Sequence, residues 1–469
     1  MNYNIKKKIK IVLINPPFQL KERYGKRLCR FGANSEPLGL AYLAANLEKY
    51  NYRVSIIDSP VLGFDIFEII RQIKKIKPDL IGFTMLTPMY EIVKELADNI
   101  KLELPKCKII VGGAHATALP KETLEDIKSV DYVCIGEGEN TIVDLADCLS
   151  NKIHINISRV DGLVYRDENK ELIFNKSRQF EEDLDKFPPP ARHLLPMKKY
   201  KLTVSRVNGA DYCPTLILAR GCPFDCSFCS HPFGRSFRRH SVERIIKELI
   251  NLINNYNINQ VNFEADTLTI DRDFLLSLCK ELIKRGISKK IQWTCESRVD
   301  TIDEELLMAM KEAGCWQISY GIESGVQKLL DLINKGVTLA RVEEVVSITK
   351  KIGITIRGFF ILGLPTETIE ESWQTIKFAK KLDPLWAQFT IAIPYPGTNL
   401  FNRLKEKNQI KHFNWSGYNT WGGWANKKLP FIPQGRDEKE IMKLQKQALV
   451  NFYLRPKVFF RFSQFNKFF

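Results

Sequence analysis

Three cysteines within eight residues constrain this chain more than any other feature. They stand in Arg220-Gly221-Cys222-Pro223-Phe224-Asp225-Cys226-Ser227-Phe228-Cys229-Ser230, at Cys-x3-Cys-x2-Cys spacing. A structural zinc site is normally closed by four ligands, whereas a catalytic metal keeps a position open. Soft thiolates suit iron–sulfur clusters, which are usually held by closely spaced cysteines. Three thiolates on one iron–sulfur cube leave one iron free to bind a substrate or cofactor directly. Three inert core cysteines are the plainer alternative, because free Cys often packs as a small hydrophobe. Their crowding beside Gly221 and Pro223 argues against it. The other eight cysteines (Cys29, Cys107, Cys134, Cys148, Cys213, Cys279, Cys295 and Cys315) are scattered. That fits a reducing cytoplasm, where grouped cysteines more often bind metal than form disulfides.

A length of 469 residues suits two or three domains, and 44% hydrophobic residues can fill large cores. No apolar run reaches the roughly 18 residues of a membrane span. Met1 to Lys8 is basic but leads into a strand pattern without a small-residue cleavage site, so no signal peptide is expected. The net charge of +16 suggests nucleic acid or anionic lipid. The lysines are spread rather than gathered in one arm, which favours solvated helix faces and no nucleic-acid partner.

Residues 1–150 alternate strand and helix patterns. Ile9-Lys10-Ile11-Val12-Leu13-Ile14 reads as a buried parallel strand. Further strands are expected over Arg53–Asp58, Asp79–Thr84, Lys108–Val111 and Asp131–Ile135, with helices at Pro37–Lys49, Phe67–Ile76, Tyr90–Leu102 and Asn140–Leu149. This implies an α/β domain with a doubly wound parallel sheet, which binds ligands at the carboxyl ends of its strands. Those ends carry Asn15-Pro16-Pro17, Thr84-Met85-Leu86, Gly112-Gly113-Ala114-His115 and Gly136-Glu137-Gly138-Glu139. Glycines allow something bulky to approach closely. Each end alone reads as a tight turn; together they point to a ligand. The Gly-x-Gly-x-x-Gly dinucleotide fingerprint is absent after the first strand.

The pattern is similar to cobalamin-binding domains of the methionine-synthase type, which carry Ser-x-Leu after one strand and Gly-Gly after the next. Thr84-Met85-Leu86 and Gly112-Gly113 match, with Thr for Ser. The resemblance implies cobalamin contacts at Pro16, Thr84, Leu86, Gly112, Gly113, Gly136 and Glu137. Asn15-Pro16-Pro17-Phe18-Gln19-Leu20 replaces the Asp-x-His-x-x-Gly loop of those domains, so no histidine is placed to bind cobalt from below. His115 is expected to be a loop or polar-pocket residue.

Residues 151–195 read as a linker. A β-hairpin is expected around Asp167-Glu168-Asn169-Lys170, packed on the second domain, followed by the Pro188-Pro189-Pro190 break. Residues 196–404 then repeat strand-then-helix units. Strands at Thr215–Ala219, Gln260–Phe263, Gln292–Cys295, Gln317–Tyr320, Thr355–Ile361 and Ala387–Ile391 alternate with helices. About six units make a partial (β/α)6 barrel, short of a full one. Its strand ends hold Glu264-Ala265-Asp266, Arg298-Val299-Asp300, Glu323-Ser324-Gly325, Gly363-Leu364-Pro365-Thr366 and Pro394-Tyr395-Pro396-Gly397-Thr398. Singly, Asp266, Asp300 and Thr366 read as helix N-caps. Together these groups suit a charged small molecule with hydroxyls.

The cysteine motif, with Phe228 before its last cysteine, resembles the signature of radical S-adenosylmethionine enzymes. Ile322–Gly325, Lys335-Gly336, Gly363–Thr368 and Pro394–Thr398 resemble the branch with an N-terminal cobalamin domain, and the resemblance runs from Ile9 to about Leu404. It implies that Cys222, Cys226 and Cys229 hold a 4Fe–4S cluster whose free iron chelates S-adenosylmethionine. An electron from a donor such as flavodoxin or ferredoxin then yields a 5′-deoxyadenosyl radical. It implies S-adenosylmethionine contacts at Phe228, Glu264, Asp266, Arg298, Glu323, Ser324 and Gly363. Glu264 and Asp266 would meet the methionine amino end, although Phe263-Glu264-Ala265 replaces the usual Gly-Gly-Glu. Arg298 would pair with the carboxylate. With cobalamin bound, the implied reaction is methylation of an unactivated carbon of a small-molecule or lipid-like substrate. Ring closure or oxidoreduction is the alternative within the branch. A radical methylthiotransferase would need a second N-terminal cysteine triad, and Cys29 is not at the first strand end. A cofactor-binding sensor is the non-enzymatic alternative.

Residues 405–469 read as an aromatic and basic helical extension. Phe413–Tyr418 and Trp421-Gly422-Gly423-Trp424 either cover the barrel mouth or simply pack, and Asp437–Tyr453 is an amphipathic helix. Leu454–Phe469 interleaves aromatic and basic residues without an acid. Such segments lie in membrane interfaces, so peripheral membrane contact is expected of an otherwise cytoplasmic enzyme.

Overall fold

Strand β1 (Lys10–Asn15) divides its apolar side chains between two cores: Val12 and Ile14 face one, Ile11 and Leu13 the other. This is the two-residue period of a strand covered on both sides. The computed structural model describes residues 9–150, 156–201, 210 and 212–458. Beside β1 run β2 (Arg53–Asp58), β3 (Leu80–Thr84), β4 (Lys108–Gly112) and β5 (Tyr132–Cys134), all parallel, in the order β2-β1-β3-β4-β5. The order reverses between β1 and β3, where doubly wound sheets open a crevice beyond their carboxyl ends. Helices Leu38–Lys49, Ile66–Ile76, Tyr90–Glu103 and Glu139–Leu149 lie within a residue or two of the expected spans.

The hairpin of β6 (Leu163–Arg166) and β7 (Leu172–Phe174) corrects one expectation. It does not pack on the second domain. β6 pairs antiparallel with β5 and extends the first sheet to seven strands. Leu163 and Val164 enter the two cores of that sheet, because alternate strand residues point to opposite faces. The first sheet therefore runs to Phe174, past the boundary expected at residue 150.

A strap follows and ties the two halves together. Ala191 N donates to Ala41 O at 3.0 Å. Buried Arg192 donates through Nη1 to Glu248 Oε1 at 2.6 Å and stands 3.8 Å from Glu36. One glutamate lies on the helix Val242–Tyr256 and the other before Leu38–Lys49.

Six parallel strands form the second sheet in chain order: β8 (Thr215–Ile217), β11 (Gln260–Glu264), β12 (Gln292–Ser297), β13 (Cys315–Glu323), β14 (Thr355–Leu362) and β15 (Trp386–Ile391). Between the first two, β9 (Ala219–Arg220) and β10 (Arg238–Arg239) pair antiparallel and bracket the cysteine loop. Trp293 stacks on Phe263, and Phe360 on Phe389, inside the largest core. The helix Glu438–Tyr453, capped by Asp437, lies against β15. Its Gln445 Nε2 donates to Phe389 O at 3.1 Å, and Tyr453 OH to Ala387 O at 2.9 Å. Residues 459–469, most of the segment expected to touch a membrane, lie outside the described residues.

Candidate active site

Gly221 sets the path of the cysteine loop. Its φ is +88°, and a Cβ there would lie 2.0 Å from Ser236 O. Only glycine combines that conformation with so close a crossing. The loop is pinned from three sides. Gly221 N donates to Asp266 Oδ2 at 2.7 Å, Ser227 N to Ile333 O at 2.9 Å, and Leu400 N to Ser227 O at 2.7 Å. Cys222, Cys226 and Cys229 are free thiols within electrostatic reach of one another. A guanidinium donor already addresses one of the sulfurs, and a hydroxyl whose proton goes to Asp266 O lies beside another. Arg298 Nη1 lies 3.3 Å from Cys226 Sγ, and Thr267 Oγ1 lies 3.5 Å from Cys222 Sγ. Among the described residues no three His, Cys, Asp or Glu side chains converge as on a single ion. Thiols spread along a loop suit the separate irons of one cluster.

The structure gathers some of the expected S-adenosylmethionine contacts around this loop and gives others different work. Asp266 sits beside Cys222, and burial raises its carboxyl pKa. Glu264, at the end of β11, accepts from Asn262 Nδ2 at 2.7 Å. Arg298 is buried with its fork already filled: it pairs with Asp300 through Nε and Nη2 at 2.8 Å each and lies on the Phe224 ring at 3.7 Å. Its remaining Nη1 addresses sulfur, not an open carboxylate site. Glu323 forms a buried pair with Lys335, Nζ to Oε1 at 2.7 Å. Ser324 is fully buried against Thr375, Oγ to Oγ1 at 3.1 Å. Phe228 packs beside Leu329, Leu330 and Leu364. Gly363 turns at φ +78° with Ile441 behind it. Asp266, Asp300 and Thr366 cap no helix; Asp271, Asp303 and Thr368 do.

On the first sheet a cavity of about 230 Å³ opens beyond β1 and β3. Asn15, Phe18, Arg23, Ser35, Thr84 and Leu86 are among its walls. Thr84 and Leu86 thus fall where a ligand of this sheet belongs. Pro16 is buried, and like Gly112, Gly113, Gly136 and Glu137 it lies outside the lining. The second glycine of the pair answers a need of the fold. At Gly113 φ is +103°, and a Cβ would lie 2.9 Å from Met85 O, so the bulky neighbour is the turn after β3. His115 is buried, 3.2 Å from Thr87 Oγ1, and meets Tyr90 and Trp415 edge-on at 5.0 and 4.9 Å. Burial lowers its pKa to about 4.

The carboxyl ends of the two sheets meet. Glu137 does not line the cavity; its carboxylate binds Arg220 at 2.9 Å and Arg238 at 3.0 Å, across the domain boundary. Glu139 takes the other Arg220 nitrogen at 2.7 Å. A Cβ on Gly397, after β15, would lie 3.0 Å from Ala118 Cβ, after β4. The aromatic segment expected over the barrel mouth packs between both halves. Trp415 lies on His115, Trp421 meets Tyr24 edge-on at 5.5 Å, and Ile391 N donates to Thr420 O at 2.9 Å.

A B12 binding domain family model matches residues 28–146, and a Radical SAM superfamily model matches residues 216–379. An uncharacterized methyltransferase of Pyrococcus horikoshii is 38% identical over 459 residues, 96% of this chain and 94% of its own. The chain belongs to the cobalamin-binding radical S-adenosylmethionine methyltransferases. A second member, the cytidylyl-2-hydroxyethylphosphonate methyltransferase of Streptomyces wedmorensis, is 30% identical, covering 83% of this chain and 80% of its own. The fold matches the radical S-adenosylmethionine methyltransferase TsrM from Kitasatospora setae at a TM-score of 0.70 and 16% identity, over 86% of this chain and 79% of that one.

Several residues that shape the site of this methyltransferase carried no signal in the sequence. Arg238 stands eighteen positions after Arg220, yet both close on Glu137. Phe18, Arg23 and Ser35 enter the cavity from a stretch without strong periodicity. Lys335, noted only as part of Lys335-Gly336, is the buried partner of Glu323. A cation placed within the span of a motif, followed by a second one past its end, is the one hint that would have singled out the two arginines.

Proposed function

We propose that this methyltransferase holds a 4Fe–4S cluster on Cys222, Cys226 and Cys229, S-adenosylmethionine against it, and cobalamin in the cavity beyond β1 and β3. It methylates an unactivated carbon of a small-molecule or lipid-like substrate between the two. The observation that carries this is the meeting of the two sheets by their carboxyl ends, joined by Arg220 and Glu137. The donors present fit the groups. Cys226 already receives an N–H from Arg298, and the cavity lies at the strand reversal that such sheets use. Bound there, the cluster and S-adenosylmethionine supply a radical and cobalamin a methyl group. The chain's own residues orient and shield. Asp266 holds the head of the cysteine loop, and Arg298 stays charged between Asp300 and Cys226. Thr84 and Leu86 wall the cavity, and no histidine lines it.

A small-molecule substrate is favoured by the Streptomyces wedmorensis relative, named for a nucleotide-linked phosphonate. A lipid-like substrate rests on the sequence of Leu454–Phe469; no helix among the described residues is long and apolar enough to cross a membrane. An acidic flavodoxin or ferredoxin as electron donor agrees with the basic chain. The test is anaerobic reconstitution followed by metal and product analysis. About four irons and one corrinoid per chain, with 5′-deoxyadenosine formed on reduction, are expected. About eight irons and no cobalt would point to a methylthiotransferase instead. Liposome flotation that is unchanged by removing Leu454–Phe469 would end the lipid reading.

A further inference from the structure

The chain after the third cysteine turns back onto the first. Gly234 N donates to His231 O at 3.0 Å, and Cys222 N donates to Gly234 O at 3.3 Å. Phe180 closes this turn from outside, since a Cβ on Gly234 would lie 2.6 Å from its ring. His231 rides on the turn, two residues past Cys229. Its Nε2 is shut off from solvent and has no hydrogen-bond partner among the described residues. The charged groups within reach of the ring are Arg235, Asp266 and Asp225. Both acids are already engaged, Asp266 by Gly221 N and Asp225 by Arg235. Buried polar groups are hydrogen-bonded as a rule, and each exception needs an explanation such as a bound ligand. Leaving one unmade costs roughly 1–3 kcal/mol.

The three sulfurs are unevenly served. Arg298 donates to Cys226, while Thr267, beside Cys222, gives its hydroxyl proton to Asp266 O. No side-chain donor reaches Cys229 among the described residues; its Sγ instead points to Ser230 O at 3.5 Å. We propose that His231 Nε2–H donates a hydrogen bond to a cluster sulfur on the Cys229 edge and thereby raises the cluster's reduction potential. Hydrogen bonds to the sulfurs of a cluster tune its potential, and they favour the reduced state because it carries more negative charge. His231 then joins Arg298 as a second side-chain donor around the cluster, supplied by the turn rather than by a barrel strand. This rests on the cluster assignment given above.

The test compares His231→Leu, which has no donor, with His231→Gln, whose amide nitrogen falls near the imidazole Nε2. Each is reconstituted anaerobically, its iron counted, and its midpoint potential titrated by electron paramagnetic resonance. The Leu variant is expected to hold about four irons with a midpoint shifted to more negative potential. The Gln variant should recover most of the shift. Should the Leu variant fail to assemble a cluster, His231→Met, which fills the space without donating, replaces it in the comparison with Gln. Donorless and Gln variants sharing the wild-type midpoint would overturn the assignment, even if S-adenosylmethionine affinity changed. Wild-type protein that takes up no iron would instead overturn the underlying cluster reading.

Discussion

Arg220 Nη1 lies 2.9 Å from Glu137 Oε1, so the residue two positions before the first cysteine of the loop is tied to the turn after β5 in the other domain. Both groups are almost wholly buried, and three rings, of Tyr42, Phe233 and Phe187, lie within 5.6 Å of the guanidinium. The distance between the cysteine loop and the cavity beyond β1 and β3 therefore depends on a pair that neither domain contains alone.

Removing one partner of such a pair strands the other charge in the interior. Arg220→Met is expected to lower unfolding stability by roughly 3–5 kcal/mol, and Arg220→Met with Glu137→Gln by less than the sum of the singles. Arg238 also binds Glu137, so some penalty persists in the double variant. Chemical denaturation of the four proteins measures it. In the surviving enzyme, methyl transfer should fall more than 5′-deoxyadenosine formation, because the cluster is intact but its spacing to cobalamin is not. Equal losses of both products would show that the pair only stabilises the fold.

Gly221→Ala places a methyl where Ser236 O stands, in a backbone conformation that L side chains rarely adopt. The strain alone is on the order of 1–3 kcal/mol, and the clash adds to it. Iron uptake should drop severely while corrinoid binding persists, since the cavity on the first sheet does not touch this loop. Full iron content in the Ala variant would mean that the loop has another path.

The two sites should also fail separately. Cys226→Ala is expected to abolish cluster assembly and 5′-deoxyadenosine formation and to leave cobalamin affinity within a few fold. Leu86→Trp, which fills the cavity beyond β3, should do the reverse. Absorption titration with cobalamin and iron analysis read both outcomes. Loss of corrinoid in the Cys226 variant would show that the first domain cannot bind it alone.

His115 makes the first domain acid-sensitive. Burial holds its folded pKa down to about 4, against roughly 6.5 in an unfolded chain. Below pH 6.5 the unfolded state takes up a proton that the folded state refuses, so stability falls as pH falls. The loss accumulates between about pH 6.5 and 4 and is on the order of 2–3 kcal/mol. The groups facing the ring are Thr87, Tyr90 and Trp415, none of them charged. Urea unfolding at pH 7.5 and 5 should show the slope, and His115→Gln should flatten it. An unchanged slope in the variant would assign the acid sensitivity elsewhere.

Much of the fold could be read from the chain because its strands are local and strongly patterned. Residues 10–15 and 355–362 are β-branched or aromatic runs, and parallel strands buried on both faces leave such runs in the sequence. The hairpin β6–β7 was visible too, but its partner was not. An antiparallel edge can join any exposed strand, and only the position of β5 decided that it extends the first sheet. The glycines at the strand ends show a related limit of spacing. Their spacing marks a close approach, but whether a ligand or the neighbouring turn approaches is a three-dimensional fact. At Gly113 it is Met85.

By itself, the sequence determined the chemistry available: three thiols in one loop, two parallel α/β sheets, and polar groups at their carboxyl ends. These follow from residue type and short-range periodicity, which act over a few positions. Tertiary structure alone decided how the groups are used. It turned Arg298 toward a sulfur, took Glu137 out of the cavity and into an ion pair with Arg220, and left His231 Nε2 buried without a hydrogen-bond partner among the described residues. The physical reason is that a side chain's charge and hydrogen bonds are settled by whatever packs against it. For Glu137 that partner is more than eighty residues away in the chain.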